Sequence, residues 1–281
     1  MQDEITKRIT LAMKVHLDDG DMASQRSAGA SNIKAWQLTL SAVDLQDAYI
    51  RENILEARIM ANEAIRLDPG YPYAWVALGW THWQEAYTGW CENFEIPLAE
   101  AEKANQQARS LLPDYAEAWS QAGLIHLMKH ESDQAQAACS RAVELEPGNA
   151  EIQALRAVSL IFIGDYEPAR IHHHNMLKLC PVLPNWYYLI GGQIEQFSGN
   201  LDAAIHAYQQ GIDVEPDSPL CRFYQIDAMM ERGDESRAKN LADEIRALDE
   251  TVTGKGLVRA ISQDKTIRDR FQANLAKFDL L

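Results

Sequence analysis

Two stretches of the chain carry one phrase: Leu67-Asp68-Pro69-Gly70-Tyr71-Pro72-Tyr73-Ala74-Trp75-Val76-Ala77-Leu78-Gly79 and Leu111-Leu112-Pro113-Asp114-Tyr115-Ala116-Glu117-Ala118-Trp119-Ser120-Gln121-Ala122-Gly123. In each, a proline closes an apolar run and a tryptophan stands six residues later. The proline mark recurs at Leu145-Glu146-Pro147, Leu179-Cys180-Pro181 and Val214-Glu215-Pro216, so the successive gaps are 44, 34, 34 and 35 residues. A period near 34 residues means a stack of similar supersecondary units, each burying its apolar face against the next. Such a stack predicts a binding scaffold rather than a single catalytic pocket.

Apolar residues at helical spacing turn each unit into a pair of helices. The pairs are Asn32 to Ile50 with Asn53 to Leu67, then 72–86 with 97–111, 115–129 with 133–145, 149–162 with 166–179, 185–197 with 201–213, and 219–231 with 235–248. Gly164-Asp165, Gly199-Asn200 and Gly233-Asp234 separate the helices of the later pairs. Gly suits the left-handed position just past a helix end, and Asp or Asn suits the next N-cap. In the first helices, Gly79 and Gly123 let a neighbouring helix come close, at some loss of helix propensity. In the second helices Ala57 and Ala64, Ala101 and Ala108, and Ala135 and Ala142 stand seven apart and share a face.

These are the marks of the tetratricopeptide repeat, which the sequence resembles across residues 35–250. Trp75-x-x-Leu78-Gly79-x-x-His82 and Trp119-x-x-Ala122-Gly123-x-x-His126 are similar to the first-helix motif of that family, and Ala204-x-x-x-Tyr208 with Pro216 to its second-helix motif. The fourth pair departs from it, with Gln153 and Arg156 where a bulky and a small residue belong, and the first pair lacks the Trp-Leu-Gly signature. The resemblance implies an all-α, right-handed superhelical solenoid of antiparallel helix pairs, about five to six repeats with a C-terminal capping helix. Three regions follow: an N-terminal amphipathic helix and polar loop over 1–31, repeats over 32–250, and a capping segment over 251–281. That last segment reads as a polar loop and a helix from about Asp264 to Phe278, sealing the last repeat.

Gln2-Asp3-Glu4-Ile5-Thr6, Leu78-Gly79-Trp80 and Pro184-Asn185-Trp186-Tyr187 also resemble the C-terminal repeat region of bacterial class III adenylate/guanylate cyclase-type proteins and of related winged-helix regulators. The resemblance implies a regulatory C-terminal module of a larger bacterial signalling protein. A helical-repeat chain has no mixed sheet to present the metal-binding aspartates of a cyclase, so the chain itself is expected not to be an enzyme.

Composition narrows the partners. A formal charge of -15 disfavours nucleic acid and anionic membrane surfaces, both of which need a basic face. The chain shows no signal peptide and no apolar run of about 20 residues, which fits a cytoplasmic protein. Cys91, Cys139, Cys180 and Cys221 form no Cys-x-x-Cys pair and read as packing residues. Consecutive His172, His173 and His174 point about 100° apart on a helix and cannot converge on one ion. His126 and His130 stand four apart, but nothing nearby completes a metal site; neither a metal nor another cofactor is expected. No phosphate-binding loop, nucleophile elbow or His-Glu-x-x-His helix occurs.

In the tetratricopeptide scheme the first helices line a concave groove, at positions one, five and eight after the motif tryptophan. Mapped onto this chain the resemblance implies Val76, Trp80 and Trp83, then Ser120, Leu124 and Leu127, then Ala154, Val158 and Ile161. That stripe is apolar and suits a protein or peptide partner, such as an amphipathic helix laid along it. Three alternatives stay open: a small-molecule or nucleotide sensor using Trp80 and Trp83 as a stacking wall, burial of the stripe as inter-repeat core, and occupation of the groove by the N-terminal helix. The insert Tyr87 to Ile96, with Trp90 and Phe94, accounts for the 44-residue gap; it either contacts another domain or a second copy in a homodimer, or folds back on its own repeat.

Overall fold

The computed structural model describes residues 28–180, 182–249 and 252–281, so the expected helix in the first 18 residues lies outside the described part. Fourteen helices and no strand occur among the described residues. Twelve of them form six pairs: α1 (Ile33–Gln46) with α2 (Arg51–Leu67), α3 (Pro72–Thr88) with α4 (Glu95–Leu111), α5 (Ala116–Met128) with α6 (Ser132–Leu145), α7 (Ala150–Ile163) with α8 (Tyr166–Leu179), α9 (Asn185–Phe197) with α10 (Leu201–Val214), and α11 (Leu220–Arg232) with α12 (Glu235–Leu248). Two more, α13 (Lys255–Ala260) and α14 (Lys265–Ala276), end the chain. The architecture is the superhelical stack of helix pairs that the period predicts.

The recurring spacings have concrete jobs. The indole N–H of Trp75 donates to the carbonyl of Pro69 (2.9 Å), and that of Trp119 to the carbonyl of Pro113 (2.8 Å). Each ties the start of a first helix to the turn that precedes it. Gln153, which breaks the motif, does the same work: its Nε2 donates to the Pro147 carbonyl at 2.7 Å. What recurs six residues past the proline is thus a side-chain donor, and an amide meets the need as well as an indole. The alanines seven apart are fully buried, so each second helix approaches the neighbouring first helices at backbone range. A Cβ on Gly123 would stand 2.2 Å from Cys139 Sγ, which shows how closely α5 and α6 approach.

The stack curls tightly enough to meet itself. Tyr87 at the end of α3 and Tyr224 in α11 are 137 residues apart, yet their hydroxyls lie 3.0 Å from each other. Tyr87 also stacks on Trp83 (centroids 4.6 Å, 15° between planes), and Tyr224 packs on Phe271 of α14 (5.3 Å). Burial raises both phenols well above the ordinary tyrosine range, so the pair stays protonated.

The tail does more than the end cap expected of it. Helix α14 does pack on α11 of the last pair, through buried Phe271 and Leu275. It is held there by Asp227, a fully buried carboxylate that accepts from Arg270 (3.0 Å), Asn274 (2.6 Å) and Gln196 (2.7 Å). The preceding stretch, read from sequence as a polar loop, instead runs back across the C-terminal ends of three first helices. Gly256 lies against the last turn of α3, Arg259 donates to the Met128 carbonyl at the end of α5, and Gln263 donates from its backbone to Phe162 (2.8 Å) and from Nε2 to Ile163 (3.0 Å) at the end of α7. The physical reason is that the last carbonyls of a helix lack intrahelical donors and carry the negative end of its dipole, so a segment bearing donors and a cation satisfies them.

Candidate functional site

The concave side, closed along one edge by the tail, is an apolar cleft of about 50 Å³. Of the residues expected in the groove, Trp83, Leu124, Leu127, Val158 and Ile161 line it, together with Leu155, Trp186, Leu189 and Ile261. Trp80 lines an adjoining recess that shares Tyr49, Trp83, Leu124, Leu155 and Trp186 with the cleft. Val76 does not reach the cleft. It is fully buried beside Tyr115 and Ala118, and its carbonyl accepts from Gln121 Nε2 at 2.8 Å. Ser120 and Ala154, one place after the tryptophan position in their own helices, are likewise buried. Val76 packs against the next pair, so that position is inter-repeat core.

The lining follows a rule that a fixed register misses. Counted from the residue six past each proline (Trp75, Trp119, Gln153, Tyr187, Arg222), the cleft residues fall eight and twelve places on in α3 (Trp83, Tyr87). They fall five to nine on in α5, two to eight on in α7, from one before to six after in α9, and two before in α11 (Leu220). The stripe thus slides toward the N-terminal end of each successive first helix. Each pair is rotated against its predecessor, so a straight cleft crosses the helices on a diagonal. This is why Trp186 and Leu189 line the cleft although no constant offset finds them; the signal in the sequence is a run of bulky apolar residues whose phase drifts. At about 50 Å³ the cleft does not enclose a whole helix, which with side chains is about 10 Å across, so only side chains of a partner would enter it.

The insert folds back on its own chain. Trp90 and Phe94 are half-buried against the core, and the Arg259 guanidinium lies over the Phe94 ring at 4.4 Å. Its length therefore gives the returning tail a surface to rest on.

Other residues singled out in the sequence have ordinary surroundings. Nδ1 of His126 bonds Glu131 Oε2 (2.6 Å), while His130 lies beside the Phe162 ring. Nδ1 of His172 bonds Gln153 Oε1 (2.7 Å), the His173 ring lies against Gly191, and His174 is exposed, so the three do not converge. Cys139 and Cys221 are buried, and burial pushes their thiols up to about 11 and about 12, away from reactivity. Among the described residues no group of three metal-ligating side chains converges, and no helix is long and apolar enough to cross a membrane.

Comparison with known proteins supports tetratricopeptide-type repeats. The tetratricopeptide repeat family profile matches residues 187–218, the fifth pair, where a Cβ on Gly192 would meet the Tyr208 ring at 2.2 Å. No curated protein matches the chain in sequence. Among solved structures it is similar to a thermophilic TPR protein of Thermus thermophilus (17% identity, TM-score 0.53, covering 70% of this chain and 99% of the other). It is similar also to a chain of the APC/C hetero-tetramer Cut9–Hcn1 (17% identity, TM-score 0.57, 93% of this chain and 48% of that one). A third is PilW, a type IV pilus biogenesis factor (17% identity, TM-score 0.50, 66% and 89%). At such identities the likeness establishes the fold. Repeats of this kind generally act as non-catalytic scaffolds that bind proteins or peptides.

Proposed function

We propose that the chain is a non-catalytic recognition module whose partner is a protein, engaged through an extended segment that sends side chains into the diagonal cleft. The observation that carries this reading is the lining drawn from five successive first helices, apolar but for the Gln193 amide, with no nucleophile, acid–base pair or metal set converging on it among the described residues. A narrow cleft of this kind takes side chains in turn, which an extended peptide can supply. The test is a pair of variants, Val158→Arg and Leu189→Arg, each placing a charge in the cleft. Both should abolish capture of a partner identified by crosslinking from the cleft, while a charge placed at solvent-exposed Ile171 on the outer face should leave it intact. Equal binding by all three would move the site elsewhere.

A second reading, an apolar small-molecule sensor, is favoured by the enclosed shape and by the stacked Trp83 and Tyr87. A thermal-shift screen against nucleotides and apolar metabolites separates the two: a rise in melting temperature with one compound class supports sensing.

In its finer form the proposal makes the module regulatory to a bacterial cyclase-type signalling protein in the cytoplasm. What supports this is the resemblance of Gln2 to Thr6 and of Pro184 to Tyr187 already described, and, for a reducing compartment, the free thiols of Cys91, Cys139 and Cys221. Cyclase activity of a parent protein measured with and without these repeats would test it. Self-association as a homodimer has exposed Ile33, Leu55 and Ile59 on the first pair in its favour, and light scattering across a concentration series checks it.

A further inference from the structure

Arg109 stands where the other repeats carry an aliphatic side chain. The position four before each proline reads Ile65, Arg109, Val143, Leu177 and Ile212. In the preceding unit Ile65 and Trp75 pack against one buried cluster, so an aliphatic residue is enough beside the tryptophan there. Arg109 instead lays its guanidinium over Trp119, with Cζ 3.8 Å from the ring centroid. Stacking on an indole face holds the planar fork of N–H donors in one orientation.

That fork is otherwise unmet. The arginines before and after it in sequence are both paired, Arg66 with Glu63 and Arg141 with Asp114 and Glu144. Arg109 has no hydrogen-bond or ion-pair partner among the described residues, and its buried Nε has no acceptor. Burial pushes its guanidinium below the ordinary arginine range, and no nearby carboxylate counters that. In a chain of net charge -15 a cation left in this state is the exception.

Arg109 lines an open pocket of about 330 Å³ at the turn between α4 and α5, together with Gln106, Ser110, Pro113 and Trp119. None of these residues lines the cleft. Ser110 Oγ donates to the Gln107 carbonyl (2.8 Å), so the side-chain donors left to a ligand are the Arg109 fork and the Gln106 amide. A planar fork matches a carboxylate through two parallel bonds, and Pro113 and the indole offer apolar surface to the methylenes that carry it. No second cation lines the pocket, as a phosphate would favour. The pocket is also too open to surround a free metabolite, which a small-molecule site normally does. We propose that it takes the carboxylate of a glutamate or aspartate side chain on a protein partner, as an anchor separate from the diagonal cleft. The proposal shares with the reading above only the premise that the partner is a protein.

Parallel selection of a random peptide library on the full chain and on its Arg109→Ile variant tests the proposal. Isoleucine is the side chain the preceding unit uses at this position, so the variant should melt no lower than the parent. Peptides enriched on the parent and lost on Arg109→Ile should share a glutamate or aspartate beside an apolar residue. In titrations followed by fluorescence anisotropy, replacing that acidic residue with its amide should weaken binding to the parent about fivefold and leave binding to Arg109→Ile unchanged. Arg109→Lys keeps the charge without the fork and should recover only part of the binding. Peptides that bind the parent and Arg109→Ile equally, and are lost with Val158→Arg, would overturn the carboxylate pocket and leave the cleft standing. If no peptide is enriched, both fall. A melting temperature of Arg109→Ile well below the parent's would assign the arginine to packing and overturn the proposal. Inorganic phosphate displacing the peptide at lower concentration than acetate would overturn the carboxylate as occupant.

Discussion

Replacing Gly256 with alanine should destabilise the protein, although glycine-to-alanine in a helix ordinarily stabilises it. Gly256 is the second residue of α13, and intrinsic propensity alone would favour alanine there by about 0.5–1 kcal/mol. Against that, the new Cβ would stand 2.2 Å from both the Ala86 and the Tyr87 carbonyl oxygens and 2.6 Å from the Tyr87 carbonyl carbon. Carbon–oxygen contacts lie near 3.3–3.6 Å, so the tail must retreat by roughly 1 Å from backbone that cannot yield. Overpacking of this kind costs about 1–3 kcal/mol. The retreat also strains the bonds from Arg259 to Met128 and from Gln263 to Phe162, at about 1 kcal/mol each. The clash outweighs the propensity gain, and the net loss is about 2–4 kcal/mol. Denaturant unfolding measures its sign, and amide hydrogen exchange at Gly254 and Gln263, whose N–H groups bond Leu280 and Phe162, localises it. Gly148→Ala, with no atom within 4 Å of the new Cβ, is the matched control and should shift stability by less than about 0.5 kcal/mol. An alanine at 256 that stabilises the chain, with unchanged exchange at Gln263, would refute the placement of the tail.

Asp227→Ala should cost about 2–3 kcal/mol in denaturant unfolding, because Gln196 and Asn274 lose a buried acceptor while Arg270, partly in solvent, keeps Glu231. Trp119→Phe and Gln153→Leu should each lose about 1 kcal/mol by the same assay, since both delete a donor to a proline carbonyl. Gln153→Trp, which restores a donor of the other kind, should recover most of that loss if the donor is what matters. His82 is pushed down to about 4, first by burial and then by the Arg58 charge. Its neutral form is therefore favoured by folding, the unfolded chain binds the extra proton, and this contribution to stability is lost as pH falls from about 6.5 toward about 4. His82→Gln should flatten the difference in stability between pH 7 and pH 5 relative to the parent chain.

The repeat architecture was legible because period, proline stops and buried alanines are local properties of a few positions. Helix boundaries followed to within a few residues: 72–86 and 97–111 became Pro72–Thr88 and Glu95–Leu111. Gln153 shows where motif reading loses the thread, since the motif names a residue type while the structure needs a donor at a fixed place. The cleft was half legible. Leu124, Leu127, Val158 and Ile161 sit where a fixed offset happens to coincide with the diagonal, whereas Trp186 and Leu189 depend on rotation accumulated over several pairs. That rotation is set by packing between units and has no mark within one unit. The path of residues 252–263 was illegible for a related reason: its partners are helix-end carbonyls up to about 170 residues away, and carbonyls leave no trace in side-chain patterns.

Ser132 Oγ and Gln263 Oε1 lie 2.9 Å apart across 131 residues of chain, joining the start of α6 to the returning tail. Cysteines at these two positions, in a Cys91→Ser background, test the closed concave side most directly through reaction with a short bismaleimide in dilute solution. Rapid formation of an intramolecular crosslink, slowed by Gly256→Ala, is the predicted result. Two cysteines that react independently, or that join only between molecules, would contradict the closure.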